Sequence, residues 1–380
     1  MTDKVFGYIE EMYEEYVEFL KNICSYEARA KDKEVIDALI DYIEEFAAQR
    51  GFCTEKTLFE KCGNFLTVDI NKGKEKGHLF LAHTDTVHDK GVFGKKPVTI
   101  EGDRMQAPGA VDCKGGIAIA LLCMEALMKS GYDKHTRLIL TSDEEISNIL
   151  GGEKEMEFFA SSVNGFKSAI NCETTRGNEV VVSRKGILRQ RIDITGIGGH
   201  SGCDYFTSAN AVLEAANKIV ALEGLSEEGG VTYNCSVIDG GSIGNIIPEK
   251  CSFIVDIRVP DTKDMERARA NVENIADHSY VEGTTSAITT ISTRKPMVKN
   301  EDTMALFDSI NAVSCKYNLG KLIPIESGGG SDSAYTQEAG VPSICGLGGS
   351  GDFFHTDKEY IYLPCIIQRA KILGAFCIEG

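Results

Sequence analysis

Short apolar runs alternate with longer stretches whose apolar positions recur at helical spacing, and that alternation breaks once, in the middle of the chain. Val5, Ile9, Met12, Tyr13, Tyr16, Phe19, Leu20 and Ile23 share one helical face. Val35, Ile36, Leu39, Ile40, Ile43 and Phe46 repeat the pattern and stop at Gly51. Strands are expected at Phe65–Ile70, 78–82, 136–141 and 167–171. A helix over Gly115–Lys129 lies among them and ends toward Gly131, a residue suited to a C-cap. Strand and helix in alternation predict an α/β layered domain: a mostly parallel mixed sheet flanked by helices.

Near Arg184 the texture changes. Residues 187–195 alternate apolar and polar, the mark of a strand with one wet face. A helix at 208–222, strands at 231–238 and 251–259, a helix at 263–276 and a strand at 286–292 follow. This β-α-β-β-α-β order is that of a ferredoxin-like α+β unit. After Pro296 the α/β texture resumes, with helices at 303–317 and 363–376. The 380 residues exceed what one core holds. The expectation is one domain made of residues 1–185 and 295–380, interrupted by an inserted domain at 186–294, with hinges at both crossings.

A formal net charge of −17 argues against nucleic acid, which needs a surplus of Lys and Arg. It also means that an anionic ligand requires a local cluster of cations. Thirteen cysteines, with no CxxC pair, suggest a reduced, cytoplasmic protein with free thiols. The segment MTDKVFGYIEE lacks the basic-then-apolar pattern of a secretion signal. No apolar run approaches the roughly 20 residues of a membrane span.

Acidic and histidine-bearing residues close several of these segments. His83 and Asp85 follow the strand HLFLA, and residues i and i+2 of an extended segment face the same way. Ligand crevices of open α/β sheets lie at that carboxyl edge. His83 suits a metal ligand, with Asp85 fixing its tautomer through the other ring nitrogen. Asp112, in PGAVDCKGG before the apolar helix, reads either as a first-turn carboxylate or as a bridge between two cations. Glu144 and Glu145 follow another strand. They suit a solvated loop or a division of labour: one binds metal, while the other takes a proton and has its pKa raised by burial and neighbouring charge. Glu173 ends the strand before it, and His355 lies in the aromatic loop FFHTDKEYI. Each alone has an ordinary structural reading. All are His, Asp or Glu, which suits zinc, with cobalt or manganese as alternatives.

Taken together, these stretches resemble the zinc-dependent peptidase and deacylase family that includes glutamate carboxypeptidase, acetylornithine deacetylase, succinyl-diaminopimelate desuccinylase and tripeptide aminopeptidase. The likeness runs from about residue 15 onward. RKGILRQRIDITGIGGHSG, GNIIPEKCSFIVDIR, RKPMVKN and GGGSDSAYTQEAGVP favour the glutamate carboxypeptidase branch.

The resemblance implies a di-zinc catalytic domain with an inserted lid and dimerisation domain, hence a homodimer. His83 and Glu173 would hold one Zn2+, Glu145 and His355 the other, with Asp112 between them. Glu144 would be the general base and Asp85 the orienter of His83. The bond Asp112–Cys113 would be cis, and Cys113 departs from the Asp or Thr of many relatives. Glu at position 173 goes with carboxypeptidases and deacylases, Asp with aminopeptidases. His200 would stabilise the oxyanion, in its own cleft or in a partner subunit's. Asn245 would bind the substrate carboxylate or the oxyanion, and Arg294 the α-carboxylate, which its fork meets bidentately. Gly329, Gly330 and Ser331 offer backbone N–H groups at a helix start, where Ser331 or Asp332 would cap; Lys185 is a further candidate contact. Arg258 reads equally as a structural ion pair. The implied substrate is a peptide or N-acyl amino acid. The alternatives are a tripeptide-type aminopeptidase and an acetylornithine- or succinyl-diaminopimelate-type deacylase.

Overall fold

The computed structural model describes residues 1–380, which form two compact units. The first comprises Met1–Ser183, Lys299–Glu326 and Ser331–Gly380; the second comprises Arg184–Val298 and Ser327–Gly330.

An eight-stranded sheet organises the first unit, in the order Cys53–Thr57, Phe65–Ile70, His135–Thr141, Lys76–His83, Ser168–Asn171, Ser343–Cys345, Glu179–Arg184, Ile323–Ser327. Parallel pairing joins the middle four strands, His135–Thr141 through Ser343–Cys345. Cys53–Thr57 with Phe65–Ile70, Phe65–Ile70 with His135–Thr141, and Ser343–Cys345 with Glu179–Arg184 are antiparallel pairs. Strands buried on both faces read as continuous apolar runs. Accordingly, every residue of Phe65–Ile70 and all but the first of Lys76–His83 are buried.

One face carries Thr2–Ser25, Gly115–Lys129 and Cys365–Glu379, which pack on one another. Gly115–Lys129 is apolar all round and buried through Leu127, as a helix enclosed by others must be. The opposite face is covered by Phe158 and Phe159 of Gly152–Ser162 and Tyr335 of Ser333–Glu338. A small antiparallel sheet runs in the order Gly351–Asp352, Tyr360–Tyr362, Arg104–Gln106, Thr99–Glu101, and the loop between its first two strands carries His355.

In the second unit four antiparallel strands lie in the order Thr232–Gly240, Lys250–Val259, Gly186–Thr195, Thr285–Arg294. With Ala211–Glu223 and Thr262–Asp277 packed against the sheet, this is the β-α-β-β-α-β connectivity read from the sequence. Alternate residues of Lys250–Val259 are buried, as a one-sided sheet requires. The first helix starts three residues later than its periodicity suggests, because Asn210 caps it by accepting from the amides of Val212 and Leu213. No helix of either unit is long and apolar enough to cross a membrane.

Candidate metal centre

Strand register brings the ligand candidates together. His83 ends Lys76–His83 and pairs with Thr141, just before the Glu144–Glu145 turn. On its other side Leu81 pairs with Asn171, so His83 lies level with Glu173 across two neighbouring parallel strands. Asp112 comes from the bend before Gly115–Lys129. That helix starts close against the strand end: a Cβ on Gly116 would lie 1.9 Å from the Cys172 carbonyl oxygen, so only glycine fits.

Asp112 stands between the two imidazoles. Its Oδ1 is 3.3 Å from His83 Nε2, and its Oδ2 is 3.3 Å from His355 Nε2. His83 Nε2 is also 3.5 Å from Glu173 Oε1, and His355 Nε2 is 3.4 Å from Glu145 Oε2. Donors about 2.0–2.1 Å from a tetrahedral zinc stand about 3.3–3.4 Å apart, so the spacing and the imidazole–carboxylate chemistry both fit that ion. His83, Asp85, Asp112, Glu144 and Glu173 are buried, whereas the His355 side chain is 54% exposed.

Asp85 touches His83 and the turn of Glu144 and Glu145. The Nδ1 of His83 lies 3.0 Å from the Asp85 backbone oxygen and 3.3 Å from Oδ1, which leaves the Nε2 lone pair facing the cluster. The same carboxylate accepts from the amides of Glu144 at 3.3 Å and Glu145 at 3.1 Å. Asp85 therefore sets the imidazole and both glutamates at once.

Without a cation the cluster holds protons in its place. Burial opposes charge on His83, but Cys113, Asp112, Asp85 and Glu173 carry its pKa well above the ordinary value. Hydrogen bonds donated to Asp112 and Glu145 raise His355 to about 11. Burial would raise Asp112, yet the two imidazoles hold it far below the usual carboxylate range. The upward push expected of the glutamate left free to take a proton falls instead on Glu145, the candidate ligand, raised to about 8 by burial and by the charge of Asp112.

The Asp112–Cys113 bond is cis. Cys113 Sγ approaches His83 and Glu173, but its S–H donates to the Cys172 carbonyl at 3.3 Å and burial keeps it a thiol. All thirteen cysteines are free.

Two residues that hold this region escaped the sequence reading. Lys114 is fully buried, and its Nζ donates to the carbonyls of Tyr26 and Pro108. Asp143, raised to about 6 chiefly by burial, accepts from the amides of Leu150 and Gly151 and so shapes the turn after Glu145. Lys114 stands in PGAVDCKGG and Asp143 directly before Glu144, and the signal available was a charge next to an apolar run.

The candidates of the second unit stand as follows. Gly199–His200 pairs with Ile246–Ile247, which sets His200 beside the Asn245 turn. His200 Nδ1 accepts from the Gly202 amide, so in the neutral ring the proton sits on the exposed imidazole's Nε2. Arg294 is 2% exposed. Gly330 packs on it: a Cβ there would come within 3.2 Å of Arg294 Cδ and 2.9 Å of Ile187 Cδ1. Lys185 Nζ donates to the Gly230 carbonyl, and Arg258 pairs with Asp256, its structural reading. In the first unit Asp332 does not cap the short helix after it; its carboxylate accepts from Thr141 Oγ1 and Asn148 Nδ2. Ser331 is buried and bonded to Ser333 Oγ.

Residues 79–379 match the peptidase family M20/M25/M40. The chain belongs to that family. It is 27% identical to carboxypeptidase G2 of Pseudomonas sp. (strain RS-16), over 96% of this chain and 88% of the relative. It is 30% identical to acetylornithine deacetylase of Myxococcus xanthus, over 62% of this chain and 65% of the relative. Among solved structures, an M20 family metallo-carboxypeptidase from Sulfolobus solfataricus superposes with a TM-score of 0.78 at 17% identity, covering 96% of this chain and 99% of that one. Aminopeptidase PepT from Bacillus cereus ATCC 10987 gives 0.77 at 17% identity, covering 97% and 98%. These structures share the fold. M20 enzymes are metal-dependent, typically on zinc, and this member is a hydrolase of the peptidase or deacylase type.

Proposed function

We propose that the chain is a di-zinc hydrolase that cleaves the amide bond of peptides or N-acyl amino acids, in the manner of a glutamate carboxypeptidase. The observation that carries this reading is the carboxylate of Asp112, with one oxygen toward each imidazole. His83 and Glu173 would complete one site, Glu145 and His355 the other. Two ions in such a pair polarise the scissile carbonyl and supply a water nucleophile at neutral pH. Glu144, set by its amide on Asp85, takes the proton of the attacking water and returns it to the departing nitrogen. Burial of Asp85 and Glu144 strengthens each of these contacts.

The inserted residues supply the lid. His200 presents its Nε2–H to the developing oxyanion. Asn245, Arg294 and the amides of Gly329, Gly330 and Ser331 take the substrate carboxylate, with Lys185 at the margin. The same unit supports a homodimer. Thr232–Gly240 is an edge strand with Val237 54% and Ile238 55% exposed, and Ala211–Glu223 presents Leu213 and Val220 at 51% and 73%. The free thiols fit a cytoplasmic setting.

Likeness to carboxypeptidase G2 across nearly the whole chain supports the carboxypeptidase reading. Likeness to an acetylornithine deacetylase keeps a biosynthetic deacylase as the second reading. The test is elemental analysis of the purified protein, then a panel of N-acyl amino acids, C-terminal glutamate peptides and free-amine tripeptides. Two zinc ions per chain and release of the C-terminal amino acid from blocked substrates are expected. Preference for free N-termini, or activity that survives full removal of metal, would overturn the proposal.

A further inference from the structure

The bend that carries Asp112 is held by a residue outside the ligand set. Glu359 lies four positions after His355 and is 1% exposed. Its Oε1 accepts from the amide of Val111 at 3.1 Å and from that of Asp112 at 3.2 Å. Its Oε2 lies 2.7 Å from Nε2 of His88, itself buried and five positions after His83. The His88 ring packs edge-on against Phe93, which fixes its direction. Buried Lys114 faces the same carboxylate and offsets its charge.

One side chain thus ties together three segments that carry ligands: the strand end after His83, the bend at Asp112 and the loop at His355. A carboxylate that offers one oxygen to each of two ions has little freedom, because a small rotation of its backbone trades one contact for the other. Two buried amides must also find acceptors, and a charged acceptor holds them more tightly than a neutral one.

We propose that Glu359, backed by His88, is the positioning residue that fixes Asp112 and so sets the affinity of the site for its ions. This rests on the metal reading above. The experiment is a cobalt(II) titration of the metal-stripped protein, followed by visible absorption against a competing chelator, with circular dichroism to show folding. The wild-type chain, E359Q, E359L and H88L are compared.

E359Q keeps an oxygen toward the two amides, and a tautomer change in His88 accommodates its NH2. It is expected to bind cobalt within about threefold of wild type, and E359L about 10–100-fold more weakly, the range for loss of a group that orients a ligand. H88L should fall between them. With cobalt saturating, E359L should lower kcat while KM stays within about twofold, because the substrate's binding groups are untouched.

A merely structural role would lower the melting temperature of E359L and leave its cobalt affinity alone. A folded E359L that binds cobalt like wild type therefore sinks the proposal while the metal reading stands. Failure of the wild-type chain to take up cobalt sinks both. Should E359L not fold, H88L decides: an affinity drop of at least about threefold supports the proposal, and wild-type affinity overturns it.

Discussion

His83 and Glu173 close neighbouring parallel strands and are 2% and 5% exposed, whereas His355 projects from a loop with a left-handed φ of 61° and 54% of its side chain in solvent. Glu145, its partner, sits on a single helical turn. In the first pair, sheet hydrogen bonds hold the strand ends and Asp85 orients the His83 ring before any ion arrives. In the second, the donors hang on short connections. Rigid donors lose less freedom on binding than mobile ones, so the two sites should differ in affinity although their donor sets are alike.

The largest effect tests what they share. Asp112→Ala removes an oxygen from each side, and both ions and detectable turnover should be lost in elemental analysis and a hydrolysis assay. Retention of one ion would mean that the halves are independent. Next, Glu144→Ala should keep both ions and lower kcat by about 10²–10⁴-fold, the span of general-base catalysis; near-normal kcat would refute its role. Third, His355→Ala should release one ion at concentrations of chelator that leave the other bound. His83→Ala should disturb both, since its loss frees Asp85 and Asp112 together. Equal losses in the two variants would erase the distinction. Fourth, Asp85→Asn should weaken metal binding by about 10–100-fold.

The smallest effect is in pH. His355 is raised from 6.5 to about 11 and Glu145 from 4.5 to about 8 in the metal-free protein. A group raised on folding stabilises fully below its unfolded pKa, and that contribution fades as pH climbs through the folded value. The metal-stripped chain should therefore melt lower as pH rises from about 4.5 to 11, by on the order of a few °C after solvent screening of His355. Asp112, shifted the other way, acts only in strong acid. Zinc displaces those protons, so the zinc-loaded chain should lack this decline. A melting temperature that stays level with pH in the stripped protein would argue against the proton-filled cluster.

The sequence was most legible where one local rule governed. A strand followed by HxD announced both His83 and the edge on which it lies. Gly115–Lys129 could be bounded because glycines precede it and Gly131 follows. The helix Gly152–Ser162 escaped notice because its glutamates mask the few positions that turn inward, Phe158 and Phe159 among them. Ser343–Cys345, which joins a parallel neighbour to an antiparallel one, was hidden for a different reason: it has three residues, too few to display a period. Glu359 was out of reach, since what defines it is the backbone of a distant segment, which carries no letter in the sequence. Arg294 was recognisable as a cation, but its burial depends on packing against Gly330.

The packing of Thr2–Ser25 against Cys365–Glu379 has a bearing on how the protein is made. A ribosome delivers the first of these helices long before the second, so the larger unit stays open until its closing helix emerges. The stretch Arg184–Val298 is contiguous and reaches the exit tunnel earlier. It has the means to settle while its host still waits, and a nascent chain halted before residue 355 would lack one of the two histidines proposed to hold the metal pair.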